Sequence, residues 1–199
     1  MWGPLVWFYK FLLWLFAVEK DTLDVVVNSI ADAPVNSRAK VNKMFTIYSM
    51  SFVSENKDLL VQNTLNLLHS EIKLAHQNGR NNSKKTIEYA LGTLRNLSCG
   101  TTVRRTKIID TGLKDTLVAL CWYYEGPIRE KSLGVLANIA SDKFVAKQII
   151  GDDILQLLHF AADTDAPQLR ALAAITLYNL TTAGRPARER MLASAGVPP

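Results

Sequence analysis

Three asparagines recur at a nearly constant interval, and their side-chain amides are the groups in this sequence best suited to specific binding. Asn96, Asn138 and Asn179 each stand in a Leu-x-Asn-Leu or Leu-x-Asn-Ile sequence, at steps of 42 and 41 residues. An asparagine amide carries two donor hydrogens and an acceptor oxygen, so it can pair with the N–H and C=O of an extended main chain. A row of such amides would hold a peptide without recognising its side chains. The alternative is structural: each amide ties its helix to an adjacent loop.

The residues one and two helical turns before each asparagine would give the row its specificity, because they share its helix face. One turn back, these residues are Gly92, Gly134 and Ile175; two turns back, they are Glu88, Glu130 and Ala171. The two glycines predict a shallow, open floor beside the amides. The three asparagines, the three residues one turn back and the two glutamates form the candidate binding site.

A repeating helical pattern positions these residues. Apolar or small residues stand six, five and two positions before each asparagine and one position after it, which gives one apolar stripe on a helix. Pro127 and Pro167 stand where a helix is expected to start, and a period near 40 residues predicts an all-α solenoid. The predicted core includes Leu94, Leu97, Leu133, Leu136, Ile139, Leu177 and Leu180.

Two segments resemble the armadillo repeat: GTLRNLS at 92–98 and IIDTGLKDTLVAL at 108–120. The first is similar to repeats of the β-catenin type. Repeats of the importin-α type carry a tryptophan four residues before the asparagine, where this sequence has glycine or isoleucine. The resemblance implies a right-handed α-solenoid with two shorter helices and one long helix in each repeat. It also implies a concave groove, lined by the long helices, that binds another protein or an extended peptide.

The armadillo pattern divides the chain into whole repeats over 54–98, 99–140 and 141–181 and a partial repeat over 182–199. Residues 1–53 are predicted to be helical, as degenerate or truncated repeats, and 54–199 are expected to form one continuous solenoid. The polar stretch 76–85 is the predicted loop before the long helix of its repeat. Because solenoid ends need polar caps and neither end looks like one, the sequence predicts a piece of a longer array.

The first residues include an almost entirely apolar run from Leu5 to Val18. A membrane-spanning helix needs about 20 apolar residues, and this run is shorter and is interrupted by Lys10. No basic residue precedes the run and no small-residue cleavage site follows it, as a signal peptide would require. The sequence therefore predicts a buried helix here, and a membrane anchor is the alternative.

No residue pattern indicates catalysis, a cofactor or a metal site. Walker and dinucleotide-binding glycine motifs are absent from the sequence. The GDD sequence at 151–153 is typical of a helix start, and Cys99 and Cys121 lack the spacing of zinc ligands. Cysteines of this kind favour a reducing compartment, the cytoplasm or the nucleus. The formal charge of +5 is mild, so no nucleic acid is expected as a partner.

These observations predict a non-enzymatic scaffold whose partner is a protein or an extended peptide, with no small-molecule substrate and no membrane contact. One alternative is the substrate-recognition arm of a larger enzyme, such as a ubiquitin ligase. Another is a membrane-associated trafficking or tethering protein that is anchored by its apolar N-terminus.

Overall fold

The structure is a computed structural model, and it describes residues 17–79 and 81–194. Within these ranges the chain forms eleven α-helices and one short 3-10 helix and has no β-strand, which confirms the all-α prediction. The chain divides after Leu97 into two compact units. Residues 5–16 of the apolar N-terminal run lie outside the described ranges. None of the helices in those ranges combines the length and the hydropathy needed to cross a bilayer.

The first unit is built from helices that pack on one another and bury mostly leucine and isoleucine side chains. Its described helices are α1 (Lys20–Asp32), α2 (Arg38–Met50), the 3-10 helix Ser54–Asn56, α3 (Lys57–Asn78) and α4 (Asn81–Ser98). Helix α1 packs against α2 and α3. The fully buried side chains of this unit include Leu23, Ile30, Met44, Ile47, Leu68, Ile72, Ile87, Leu91, Leu94 and Leu97.

The prediction of a loop over 76–85 is wrong in extent, because α3 continues to Asn78 and α4 already begins at Asn81. Ile72 and Ala75 are buried on α3, and their packing carries the helix past the predicted loop start. Gly79 then ends the helix with a φ of 63°, a left-handed conformation that glycine adopts without steric cost.

A buried ion pair joins α2 to α3 in the first unit. Lys40 Nζ lies 2.7 Å from Glu71 Oε1, and the two side chains are only 3% and 5% exposed. Two charges removed from water in this way must be matched, because either one alone would be strongly destabilising.

The second unit shows the three-helix repeat most clearly. Its described helices are α5 (Thr102–Asp110), α6 (Leu113–Tyr123), α7 (Pro127–Ala140), α8 (Lys143–Ile149), α9 (Asp152–Ala162), α10 (Pro167–Thr181) and α11 (Arg185–Ser194). Helix α7 packs on α6 and α10, α9 packs on α10, and α5 packs on α8. The third helices α7 and α10 thus contact each other as well as the second helix of their own repeat.

Local sequence explains where the helices of the second unit begin. Pro127 and Pro167 occupy the first position of α7 and α10, where the missing N–H of proline costs no hydrogen bond. Gly112 separates α5 from α6 with a φ of 75°. Leu133, Leu136, Ile139 and Leu180 are fully buried or nearly so, as predicted.

Leu177 differs from its predicted place in the core, because it is only partly buried. It lies on α10 between two exposed residues, Ile175 at 51% and Tyr178 at 70% exposure. The stripe that is buried on α7 is therefore partly exposed on α10.

Candidate functional site

The three predicted asparagines lie near the C-terminal ends of the third helices, α4, α7 and α10. Each precedes a fully buried residue by one position, and Asn96 and Asn138 also follow one by two positions, as Asn96 does with Leu97 and Leu94. At 3.6 residues per turn this places each asparagine at the edge of the buried stripe. All three asparagine side chains are accordingly partly exposed.

Each asparagine amide nitrogen donates a hydrogen bond to a residue one repeat earlier in the chain. Asn138 donates to the Ser98 hydroxyl and also approaches Cys99 Sγ, at 3.3 Å. The three donor–acceptor pairs are Asn96 Nδ2 to Ser51 Oγ at 2.9 Å, Asn138 Nδ2 to Ser98 Oγ at 3.0 Å and Asn179 Nδ2 to the Ala137 carbonyl oxygen at 3.3 Å. Each amide is therefore a structural tie, but the acceptor is not in a loop as the alternative interpretation had it: Ser98 is the last residue of α4, Ala137 lies within α7, and only Ser51 lies outside a helix, directly after α2.

The tie uses only part of the hydrogen-bonding capacity of the Asn96 and Asn179 amides. An amide nitrogen has two hydrogens, and its oxygen can accept two hydrogen bonds. Within 17–79 and 81–194, Oδ1 of Asn96 and Oδ1 of Asn179 accept no hydrogen bond. Because both side chains are partly exposed, the oxygen and the second N–H can pair with another molecule while the tie holds the amide in place.

The predicted open floor beside the amides is wrong at Gly92. This glycine is buried, and the ring of Tyr48 on α2 lies directly over it: a Cβ built on Gly92 would come within 2.5 Å of Tyr48 Cε2. The space left by the missing side chain is filled by an aromatic ring. On the second unit, Gly134 is also buried, whereas Ile175 is half exposed.

The two glutamates of the candidate site are partly buried, and Glu88 already has a cationic partner. Lys85 Nζ donates to Glu88 Oε2 at 2.9 Å, and this hydrogen bond, together with the carboxylate charge, raises the pKa of Lys85. The side chain of Glu88 is 17% exposed. Its charge is thus balanced locally, and Glu130 lies at the corresponding position on α7.

A cluster of four aromatic rings, which sequence reasoning missed, lies in the first unit, with two rings on α2, one just after the end of α2 and one on α4. We call Phe45, Tyr48, Phe52 and Tyr89 the aromatic cluster. Its ring centroids are 5.2 Å apart for Phe45–Tyr89, 5.7 Å for Tyr48–Tyr89 and 4.9 Å for Tyr48–Phe52. Phe45 and Phe52 are 49% and 63% exposed, so the cluster presents apolar area to solvent next to Gly92.

The sequence signal that could have found the aromatic cluster is the buried pattern of α2. Met44 and Ile47 are fully buried, and they stand five and two residues before Ser49, as Leu91 and Leu94 do before Asn96. Ser49 therefore occupies the asparagine position of this helix, and Phe45 stands one turn before it. The register was hidden because serine replaces the asparagine.

The acids at 151–153 have a structural role in the described structure. Asp152 and Asp153 lie in the first turn of α9, where negative charge is favoured by the helix dipole. Lys114 Nζ lies 3.0 Å from Asp153 Oδ2. Among the residues with described positions, no three His, Cys, Asp or Glu side chains are grouped as metal ligands would be.

Comparison with known proteins gives a match at the level of the fold. No protein-family model and no curated protein matches the chain. A solved structure of computationally designed armadillo repeat proteins for modular peptide recognition has a TM-score of 0.77 and 19% identity, covering 89% of this chain and 72% of that one. The designed armadillo repeat protein YIII(Dq)4CqI has a TM-score of 0.76 and 18% identity, covering 87% and 71%.

A third similar structure is a designed armadillo repeat protein in complex with the peptide (KR)4, with a TM-score of 0.74 and 17% identity, covering 85% of this chain and 68% of that chain. At these identities the similarity defines the fold. The chain has an armadillo-type helical repeat fold, as the resemblance of its motifs implied. Whether its repeats are closer to the β-catenin type or to the importin-α type stays a prediction from the sequence.

Proposed function

We propose that this chain is a non-enzymatic scaffold that binds an extended segment of another protein through the asparagine amides of its third helices. The observation that carries the proposal is the hydrogen bonding of these amides. Each is fixed through its nitrogen, and among the described residues nothing donates to the partly exposed amide oxygen of Asn96 or of Asn179. A pre-oriented donor and acceptor lose little freedom when they pair with a main chain.

The packing of the second unit supports a repeating contact along the partner. Asn138 and Asn179 lie on α7 and α10, which are directly packed. Packed helices are about 10 Å apart, and an extended chain advances about 3.3 Å per residue. The two amides would therefore meet the main chain of the partner at roughly every third residue. The solved armadillo structure that contains a bound peptide supports the same class of partner for this fold.

The proposal is tested with peptides selected from a random display library on the full chain. Affinity by titration calorimetry and melting temperature are then measured on the same variants, Asn138→Ala and Asn179→Ala. We expect the binding free energy of the selected peptide to weaken by about 1–3 kcal/mol, because each change leaves main-chain groups of the peptide unpaired. The loss of the tie should also lower stability by about 0.5–1.5 kcal/mol.

Asn28→Ala is the matched control, because Asn28 is an exposed asparagine on α1, a helix that carries none of the three proposed binding amides. It should leave peptide affinity unchanged. If Asn179→Ala is destabilised but its folded form binds the selected peptide as the unchanged chain does, the asparagines are structural ties and the proposed site is wrong.

A further inference from the structure

A cavity of about 520 Å³ lies in the second unit where α8 meets the start of α11. Its lining is apolar at Ile150, Ala183 and Ala187, and basic at Lys147 and Arg190. This volume is within the range of cavities that hold ligands, and a mixed lining of this kind favours a ligand with an apolar part and a negative charge.

The basic side chains at the cavity differ in their hydrogen-bond and ion-pair partners. Arg190 Nη1 donates to the Ile150 carbonyl oxygen at 3.3 Å, and Arg185, which also lines the cavity, pairs with Glu189 at 2.7 Å. Lys147 has no hydrogen-bond acceptor and no ion-pair partner in the part of the chain that the structure describes. The ammonium of Lys147 is therefore the charge that a ligand would meet.

The corresponding junction one repeat earlier, where α5 meets the start of α8, contains a carboxylate. Asp142 stands four residues after Asn138 and caps α8, accepting the N–H groups of Phe144 and Val145 at 2.9 Å and 3.3 Å. It also accepts a hydrogen bond from the Thr102 hydroxyl, the largest of the interactions that lower its pKa. Arg105 Nη1, from α5, lies 3.9 Å from its carboxylate. This carboxylate links the first helices of two successive repeats.

The register of the repeats shows whether the Arg105–Asp142 pair has a counterpart at the junction of α8 and α11. Arg105 stands nine residues after Asn96, and Lys147 stands nine residues after Asn138, so the cation is kept. Four residues after Asn179, however, the position of Asp142 is taken by Ala183. Lys147 and Ala183 both line the cavity. The later junction thus has the cation and the space but lacks the carboxylate.

We propose that this cavity binds an acidic side chain, Asp or Glu, of a partner polypeptide together with a neighbouring aliphatic side chain. The carboxylate pairs with Lys147 and takes the place that Asp142 fills one repeat earlier, and the aliphatic group packs on Ile150 and Ala187. The site lies where the first helices α8 and α11 meet, just beyond the end of α10, and none of the three asparagines lines it. Its test does not depend on the peptide selected for the asparagines.

In the test, the blocked dipeptide N-acetyl-Glu-Leu-amide is titrated into the full chain, and binding is monitored by methyl NMR. We expect saturable shifts of the Ile150 and Ala187 methyl signals, and a roughly tenfold or greater loss of affinity when glutamine replaces the glutamate of the dipeptide, because hydrogen bonds to charged groups are the stronger ones. Lys147→Gln should weaken binding to a similar degree. Lys143→Gln is the matched control, because Lys143 is exposed on the same helix and does not line the cavity.

Ala183→Asp should abolish binding, because it supplies the missing carboxylate from within the chain. Lys147→Gln changes an exposed residue and keeps the test decisive if Ala183→Asp does not fold. The proposal is overturned if the glutamate and glutamine dipeptides bind equally, if Lys147→Gln and Lys143→Gln have the same effect, or if the cavity methyl signals show no saturable shift.

Discussion

Replacing Gly92 with alanine tests the packing of the Tyr48 ring on Gly92, which the sequence-based expectation of an open floor did not include. The added Cβ would lie 2.5 Å, 2.9 Å and 3.3 Å from three atoms of the Tyr48 ring. Favourable carbon–carbon contacts are about 3.5–4.0 Å, so the ring must move by roughly 1 Å. Movement is costly here, because the same ring packs on Phe52 and Tyr89 at centroid distances of 4.9 Å and 5.7 Å.

Two opposing effects set the expected magnitude for Gly92→Ala. Overpacking costs about 1–3 kcal/mol, whereas alanine is favoured over glycine inside a helix by about 1 kcal/mol. The net loss of unfolding free energy should therefore be about 0–2 kcal/mol in the unchanged chain. When Tyr48→Ala removes the ring, only the helix preference remains, and Gly92→Ala should then stabilise the chain by about 1 kcal/mol.

The assay is a double-mutant cycle on the unchanged chain, the two single variants and the double variant. Urea unfolding of each protein is monitored by far-UV circular dichroism. The coupling between Gly92→Ala and Tyr48→Ala should be about 1–3 kcal/mol, as for side chains in direct contact. Equal slopes of the four unfolding curves would show that the transitions can be compared. If Gly92→Ala has the same effect with and without the ring, within about 0.5 kcal/mol, Tyr48 does not pack on Gly92.

Three further predictions concern the interior of the two units. Lys40→Met should cost about 3–5 kcal/mol in urea unfolding because it leaves Glu71 buried and unpaired, whereas Lys40→Met with Glu71→Leu should recover most of the loss. Leu136→Ala should cost about 2–5 kcal/mol in the same assay, and a value below about 0.5 kcal/mol would place this residue on the surface. Burial raises the pKa of the Cys121 thiol from 9.0 to about 12, so this thiol stays protonated and unreactive at mildly alkaline pH. A thiol reagent should therefore label only the exposed Cys99 in the folded chain, and both cysteines in urea. Because the unfolded thiol releases its proton first, stability should fall as the pH rises from about 9 towards 12, and a flat profile for a chain with Cys99→Ser would contradict this.

The helical pattern and the repeat register could be predicted from the sequence because they depend on local spacing. Leu136 and Ile139 are buried and Asn138 is partly exposed beside them, as a period of 3.6 residues requires. The first positions of α7 and α10 followed from their prolines. These features involve residues within one or two helical turns of each other.

The parts of the site that were not predicted depend on contacts between distant residues. Tyr48 covers Gly92 from another helix, and nothing in the sequence near either residue indicates that they meet. The Lys40–Glu71 pair likewise joins two helices whose charged residues would each be expected on the surface. In both cases the partner is selected by tertiary packing, which a one-dimensional pattern does not contain.

The two interpretations of the asparagines could not be separated in the sequence, because both follow from the same amide chemistry. The structure shows that the tie of Asn96 and of Asn179 uses the amide nitrogen, and that it leaves the oxygen of both amides without a hydrogen bond in the described residues. The structural role therefore orients the group that the proposed binding role needs.

The most direct test of the proposed binding mode is a side-chain amide NMR spectrum of the full chain, recorded during titration with a library-selected peptide. The NH2 signals of Asn96, Asn138 and Asn179 should shift together and saturate with the binding curve. The exchange of the Asn96 and Asn179 amide hydrogens with water should slow as their second N–H is engaged. The signal of Asn28 should stay in place. If the peptide saturates the chain and the three third-helix signals do not move, the partner is held elsewhere and the proposed binding mode is contradicted.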